Sequence, residues 1–253
     1  MPVIKIMMKS QTAAVMFFII SNCFAETHGL AVIRGKIIKN NNAFLTATGC
    51  FEQKIHAEPH HQYAQAKFFY RNPGAVRIEY SKPAALKGII LIQLADIDYR
   101  YGPKTKKWYS SNDPGGKLHI DLGMSFLDED WESVTAEGND TVNGAGCLLV
   151  RAIKKTDAGT DILARYWFNN ETGMIMKTET YDKDMRKVFE SEISYKKTNS
   201  VWFPVKVKNY FSGIEGKGYV AIDLSYKKVK INSELDAGLF VCPAVLEKSG
   251  GSE

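Results

Sequence analysis

The residues from Cys147 to Val229 form a series of short strand-like runs, each of which ends at a turn sequence. The runs are rich in β-branched and aromatic residues, and clusters of Gly, Asn and Asp separate them. Their sequences are CLLVRAIK, DILARYWF, MIMKTETY, KVFESEISY, VWFPVKVKNY and GYVAIDLSYKKV. Because the connections are too short for crossover helices, the pattern predicts antiparallel hairpins.

The first half of the chain repeats this pattern in the runs FEQKIHA, QYAQAKFFY, AVRIEY, KGIILIQL and IDYRYG. In AVRIEY the apolar side chains of Val76, Ile78 and Tyr80 alternate with charged ones, which predicts one dry and one wet face of a sheet. Both halves together give roughly ten to twelve strands, more than a flat open sheet usually holds without curling. A strongly curved sheet is therefore expected.

Two segments depart from the strand pattern. Between His28 and Asn40, apolar residues recur at helical spacing at positions Leu30, Ile33, Ile37 and Ile38. In SFLDEDW, Ser125 can cap a helix and Asp128 follows three residues later. The predicted fold is mainly β with short helices (α+β): a curved antiparallel sheet forms a half-open β-barrel covered by lid helices.

The N-terminus has the features of a secretory signal peptide. Lys5 and Lys9 precede an apolar run at 13–20, and small residues near Ala25 suit cleavage there. We expect residues 1–25 to be a signal peptide, residues 26–253 to form a single domain, and the mature protein to be periplasmic. The alternative is a lipid anchor at Cys23, read from Ile20-Ser21-Asn22-Cys23 as a lipobox.

Composition argues against one class of partner and leaves the pairing of the cysteines open. Without Lys5 and Lys9, the 33 basic residues fall to 31 against 28 acidic ones, a net charge of +3. Such a mild charge argues against nucleic acid as the main partner. Cleavage after Ala25 would leave Cys50, Cys147 and Cys242, and sequence alone does not say whether two of them pair.

The chain carries few groups arranged for covalent chemistry. It has neither a GxSxG elbow nor a phosphate-binding glycine loop. His56, His60 and His61 surround Pro59 in what is predicted to be a hairpin tip, so a surface loop is favoured over a metal site. We expect no catalysis, no metal and no cofactor; a hydrolase using Cys50 or His56 is the weaker alternative.

Apolar and aromatic side chains are abundant instead. A curved sheet too wide for two short helices to fill would leave an apolar cavity, and such cavities hold apolar ligands. The predicted ligand-binding residues, of which Phe126 and Leu127 belong to the lid, are Phe68, Tyr70, Val76, Ile78, Tyr80, Ile97, Tyr99, Trp108, Phe126, Leu127 and Phe203.

Several motifs carry a resemblance to a known family. FEQKI, FFYRNPGAVRIEYSKPA and IDYRYGPKTKKWY in the first half, VNGAGCLLVRAIKK in the second, and NSELDAGLFVCP near the end together resemble the LolA-like superfamily of outer-membrane lipoprotein-sorting proteins. The resemblance implies a half-open barrel whose apolar interior shelters acyl chains crossing the periplasm. The resemblance implies an arginine just before the proline of the turn between the second and third strands, which in family carriers helps to hold the lid shut. Asn72 occupies that place here, and Arg71, one residue earlier, is the candidate for lid gating.

The function expected from these observations is a periplasmic carrier or binding protein for lipoprotein acyl chains or another lipid, in transfer toward the outer membrane. Its expected partners are those acyl chains, lipoprotein-transfer proteins of the inner and outer membranes, and the membrane in transient contact, with the protein itself a monomer. The alternative is an envelope sensor or assembly factor that binds a protein partner through the same fold.

Overall fold

A computed structural model of the protein describes residues 29–57, 60–94, 97–111, 126–127, 129–155, 161–212 and 219–243. Within them lie one α-helix, α1 (29–43), and thirteen β-strands. The strands are β1 Thr46–Ala57, β2 His60–Arg71, β3 Ala75–Lys82, β4 Ile90–Gln93, β5 Asp98–Gly102, β6 Lys107–Ser111, β7 Ser133–Val142, β8 Ala145–Lys155, β9 Asp161–Asn169, β10 Ile175–Tyr181, β11 Lys187–Thr198, β12 Val201–Phe211 and β13 Val220–Ile231. A short 3-10 helix, Ala237–Phe240, follows β13.

All thirteen strands belong to one antiparallel sheet in the order β6-β5-β4-β3-β2-β1-β13-β12-β11-β10-β9-β8-β7. Each half of the chain is a meander of neighbouring hairpins, and the pairing of β1 with β13 joins the two halves. The sheet is curved and unclosed, with β6 and β7 as its edges. The predicted curved antiparallel sheet is confirmed, and the two strands that the sequence did not predict are these edges.

The face of the sheet that carries Phe68 and Phe168 is the inner face, and it holds two apolar clusters. The first lies on β1 to β3, β12 and β13, and its largest fully buried side chains are those of Phe44, Phe51, Phe68 and Phe203. In β3, Val76 and Ile78 belong to this cluster and Tyr80 packs against it. The alternation predicted for this strand therefore holds.

Helix α1 packs on the second inner cluster, which lies on β8 to β10. Ile33 and Ile37 are buried there together with Val150, Phe168 and Met174. The predicted helical segment between His28 and Asn40 is confirmed in the residues described, although Ile38 points away and is 46% exposed. Ile38 directly follows the buried Ile37, and the side chains of successive helical residues point in directions about 100° apart.

Side chains fasten α1 across one end of the sheet. Lys36 donates to the carbonyl of Asn170 in the β9–β10 turn, and the amide of Asn40 makes two hydrogen bonds with the backbone of Trp202, at 2.7 and 3.1 Å. Asn72, in the β2–β3 turn, donates to the carbonyl of Phe44 at 2.9 Å. We call this the closed end of the sheet. The opposite end of the sheet, where β1 ends at Ala57, β10 at Tyr181 and β12 at Phe211, is the open end.

Of the second predicted helix, only Phe126 and Leu127 are described, both with helical backbone. Its predicted cap Ser125 and the carboxylate of Asp128 lie outside the described residues, so a pair of lid helices is not shown. The predicted signal peptide and Cys23 also lie outside them. No helix among the described residues is long and apolar enough to cross a membrane.

The outer face of β9 to β11 carries a network of charged side chains centred on Glu179. Its carboxylate lies 2.8 Å from Lys177 Nζ and 3.2 Å from Lys187 Nζ, and it accepts a hydrogen bond from the Tyr181 hydroxyl. Burial opposes ionisation of Glu179, but the hydrogen bonds from Lys177, Tyr181 and Lys187 outweigh it and lower its pKa to about 2. The carboxylate therefore stays charged throughout the ordinary pH range.

Replacing Glu179 by glutamine should lower the free energy of unfolding by about 2 kcal/mol at neutral pH, because Lys177 and Lys187 each lose one charged partner and keep Glu190 as the other. The pKa of Glu179 in the folded protein is depressed from 4.5, so its contribution is complete above that value and disappears as pH falls toward 2. Urea unfolding at pH 7 and at pH 3 should show the wild type losing its advantage over E179Q at the lower pH. Exposed Glu234 provides the control variant, E234Q, which should change little. An E179Q deficit that is equal at both pH values would contradict this assignment.

Candidate functional site

Four neighbouring strands carry an apolar surface on the inner face toward the open end. Phe189 of β11 lies opposite Phe211 of β12, which lies opposite Val220 of β13. In the next rows toward the closed end, Ile222 lies opposite Ile55 of β1, and Val207 lies between Ile193 and Leu224. We call the set the open-end patch: Ile55, Phe189, Ile193, Val207, Phe211, Val220, Ile222 and Leu224.

The open-end patch arises from simple alternation along each strand. In VKVKNYF, Val207 and Phe211 point inward while Lys206 and Lys208 point to the other face. The rings of Phe189 and Phe211 pack with centroids 5.0 Å apart. Phe211 is nevertheless 37% exposed, and the other side chains of the patch are only half-buried. Apolar side chains are thus left in partial contact with solvent on the inner face of the sheet.

A few polar groups interrupt the patch. Ser191, Asn209 and Gln53 occupy inward positions in the rows of Ile222 and Leu224. Ser191 is buried, and the other two are half-buried. Sparse hydrogen-bonding groups within a largely apolar surface are typical of sites for small apolar ligands.

Five predicted ligand-binding residues lie inside the first cluster. Each is at most 8% exposed: Phe68, Tyr70, Val76, Ile78 and Phe203. Tyr80 is half-buried at the rim of that cluster, with its ring 6.3 Å from that of Phe51, and burial raises the pKa of its hydroxyl. The structure brings these six residues together on the inner face, and their contact with a ligand stays a prediction.

Phe126 and Leu127 belong to the second cluster. The Phe126 ring is 1% exposed and lies 4.9 Å from that of Phe168 and 5.0 Å from that of Tyr166. Trp131 fixes the local backbone, because its indole N–H donates to the carbonyl of Phe126 at 3.0 Å. Phe126 and Leu127 therefore cover the inner face near β9, which is compatible with their predicted place in a lid.

The structure separates Ile97, Tyr99 and Trp108 from the other predicted ligand-binding residues. Tyr99 lies opposite Ile92, and strand alternation places both on the outer face. Trp108 stands beside Tyr101 on that face, with ring centroids 5.4 Å apart. Ile97 is half-buried just before β5. Their role in ligand binding stays a prediction.

Arg71 also points to the outer face. Its guanidinium lies over the ring of Phe240, 4.7 Å from the centroid, where the C-terminal segment crosses β3. Arg77 supports the same segment by donating to the carbonyl of Leu239 at 3.0 Å. Asn72, rather than Arg71, makes the contact with the end of α1. Gating by Arg71 stays a prediction.

The open-end patch contains none of the predicted site residues. The sequence does indicate part of the patch, because the apolar residues Val220, Ile222 and Leu224 alternate with other side chains in VAIDLSYKKV. What the sequence does not reveal is that these positions meet those of β1, β11 and β12 at an end of the sheet that α1 does not reach.

The groups considered for covalent or metal chemistry are dispersed. His56 and His61 face each other near the β1–β2 turn with ring centroids 5.5 Å apart, and the described residues contain no group of three or more metal-ligating side chains. The three described cysteines are free thiols, and burial raises the pKa of Cys147. What the inner face can do chemically is remove apolar groups from water.

We found no match for the chain among protein-family models or curated proteins. Many solved structures match the chain, and three of those that share its fold are the following. A DUF1329 family protein from Desulfovibrio piger is 14% identical, with 86% of this chain and 98% of that chain covered and a TM-score of 0.64. A domain from Vibrio parahaemolyticus named for outer membrane lipoprotein sorting is 13% identical, with 82% and 94% covered and a TM-score of 0.62.

A LolA superfamily protein from Nitrosomonas europaea is 11% identical, with 83% of this chain and 98% of that chain covered and a TM-score of 0.58. The likeness extends over nearly the whole length of each of the three structures. The fold is therefore LolA-like, as the sequence motifs indicated.

Proposed function

We propose that this protein binds the acyl chain of a lipid or lipoprotein on the inner face of its sheet and carries it through the periplasm without covalent chemistry. The observation that carries the proposal is the open-end patch, an apolar surface on the inner face of a curved sheet that is only half-buried. The LolA-like fold agrees with such a role, and the sequence features of residues 1–25 support export.

Burial alone supplies enough free energy for this binding. Each methylene removed from water contributes about 0.8 kcal/mol, so a chain of ten or more carbons gains useful affinity even after the cost of its ordering. A fixed charged anchor is unnecessary. The same surface accommodates chains of different length and saturation, since the hydrophobic effect is not directional.

Occupation of the patch leaves the two apolar clusters intact. Phe68, Ile78 and Phe203 are already packed by protein, so a chain would reach them only if α1 moved. We propose that α1 and the helical residues at Phe126 form the cover at the closed end and that the ligand enters from the open end. The membrane and lipoprotein-transfer proteins would then approach from the open end.

Replacing Phe211 by alanine should weaken acyl-chain binding by roughly 5- to 30-fold, since about 1–2 kcal/mol of apolar contact is lost. Titration with cis-parinaric acid, a fluorescent fatty acid, measures this directly. Met185, which is 59% exposed in the β10–β11 turn, provides the control, and M185A should bind as the wild type does.

Equal affinities of F211A and M185A for cis-parinaric acid would mean that the open-end patch is not part of the binding site.

Lipid extraction and native mass spectrometry of the protein from its own periplasm should recover bound lipid. Ligand-free protein that also fails to bind cis-parinaric acid would contradict carriage. In-cell crosslinking that captures one protein partner in place of lipoproteins would favour the sensor or assembly role.

A further inference from the structure

A second uncovered region of the inner face lies on β4 to β6, next to the edge of the sheet. There an open cleft of about 700 Å³ is bounded by the β3–β4 turn on one side and the β5–β6 turn on the other. Register places Arg100 opposite Leu91 and Tyr109 opposite Arg100, in the inward row that begins with Ile78. The cleft therefore opens on the same face as the open-end patch.

The walls of the cleft are held by backbone contacts. In the β3–β4 turn, Leu86 and Lys87 donate to the carbonyl of Pro83, and Gly88 donates to the carbonyl of Tyr80, all at 3.0–3.1 Å. A Cβ at Gly88 would lie 3.3 Å from Pro103 Cβ, and the φ of Gly88 is +83°. A glycine at that position thus suits both the left-handed backbone and the close approach of the two turns.

The lining combines an apolar surface with positive charge. Ala84, Ala85, Ile89 and Pro103 supply apolar contacts, and the Tyr109 ring is 50% exposed. Three cations, Lys87, Arg100 and Lys104, also belong to the lining, and none of the lining residues that the structure describes is acidic. Within the described part of the chain, no carboxylate forms an ion pair with any of the three.

Cations around an apolar cleft are complementary to an anionic amphiphile. A free inorganic anion would use the cations but leave Pro103 and Tyr109 in contact with water. A neutral lipid would cover the apolar lining but bring no counter-charge to the three cations. A phosphate or carboxylate attached to an acyl chain satisfies both parts of the lining.

An apolar path leads away from the cations across the sheet. Leu91 is the inward neighbour of Arg100, and both Leu91 and Tyr80 are half-buried against the first cluster. Beyond them, across β2 and β1, lie Leu224 of β13 and Val207 of β12, which also pack against that cluster and belong to the open-end patch. The chain of a ligand held by its head group in the cleft can therefore follow apolar side chains toward the patch.

We propose that the cleft between the β3–β4 and β5–β6 turns binds the anionic head group of the lipid, with Lys87, Arg100 and Lys104 as its cationic contacts. This proposal rests on the proposed function and adds the class of ligand, an acidic amphiphile in preference to a neutral one.

The test compares two ligands with the same chain, oleoyl lysophosphatidic acid and monooleoylglycerol, each titrated by calorimetry below its critical micelle concentration. The full-length protein should bind the acidic lipid about tenfold or more tightly, since charge-assisted hydrogen bonds are stronger than neutral ones. The variant K87E/R100E/K104E should lose that preference and keep its affinity for monooleoylglycerol. The control K196E/K206E/K230E makes the same change in net charge at exposed lysines away from the cleft and should keep the preference.

Because charge reversal at three sites can disturb folding, K87Q/K104Q serves as a milder variant on the two turns and should reduce the preference by at least about threefold. Equal binding of both lipids by the wild type would overturn the head-group proposal and leave acyl-chain binding in place. Failure to bind either lipid would overturn both. Glycerol 3-phosphate has no acyl chain. If it displaces the acidic lipid completely, the cleft is a site for free phosphate esters, and the proposal of an amphiphilic ligand is overturned. Equal loss in the control variant would make the effect one of net charge, which also overturns the proposal.

Discussion

Ile78→Asp should destabilise the protein by about 4 kcal/mol or more, because it puts an unpaired carboxylate into an apolar cluster. Ile78 is 3% exposed and lies between Phe68 of β2 and Leu91 of β4 on the inner face. The neighbouring cation Arg77 cannot compensate, since it points to the outer face and pairs there with Glu79 at 2.8 Å. Urea unfolding followed by tryptophan fluorescence measures the change.

A matched control lies in the same strand. Ser81 is exposed near the end of β3, and S81D introduces the same charge at a cost of about 1 kcal/mol or less, including its hydrogen bond to the carbonyl of Gln65. Acyl-chain binding should survive in S81D. If I78D and S81D are equally stable, the register of β3 is wrong, and so is the assignment of its inward residues to the first cluster.

The strands that the sequence predicted are those with one buried face. AVRIEY and KVFESEISY alternate because the sheet removes every second side chain from water. The strands that were missed, β6 with KWYSS and β7 with SVTAEGNDTV, are the edges, where most side chains are exposed. Polar edge strands protect a sheet from pairing with other chains, and the same polarity removes the periodicity by which a strand is recognised.

The site was harder to predict than the fold, because it depends on pairing between distant strands. Tyr99 and Trp108 alternate as plausibly as Phe68 does, but a shift of one residue in register moves a whole strand to the other face. Only the pairing of Leu91 with Arg100 shows that Arg100, and not Tyr99, points inward. Likewise, α1 was predictable from the spacing of Ile33 and Ile37, whereas its attachment through Asn40 and Asn72 at one end of the sheet was not.

Phe203→Ala should cost about 3–5 kcal/mol, which corresponds to a fall in melting temperature of roughly 10 °C for a domain of this size. The Phe203 side chain is 1% exposed and fills the space between three rings of the first cluster. Its centroid lies 5.8 Å from that of Phe44, 6.3 Å from that of Phe68 and 5.6 Å from that of Tyr226. These rings belong to the segment after α1, to β2 and to β13, so their neighbours cannot collapse into the cavity without shifting the strands.

Phe211 lies in the same strand as Phe203, and its replacement by alanine should affect binding rather than stability. Because it is 37% exposed, F211A should cost about 1 kcal/mol or less in stability while it weakens acyl-chain binding. F203A, measured below its own melting temperature, should still bind cis-parinaric acid, since the open-end patch does not include Phe203. A loss of binding in F203A that matches the loss in F211A would mean that the ligand reaches the first cluster. The buried aromatic residues predicted from the sequence would then belong to the binding site itself, and α1 would have to move for a chain to enter.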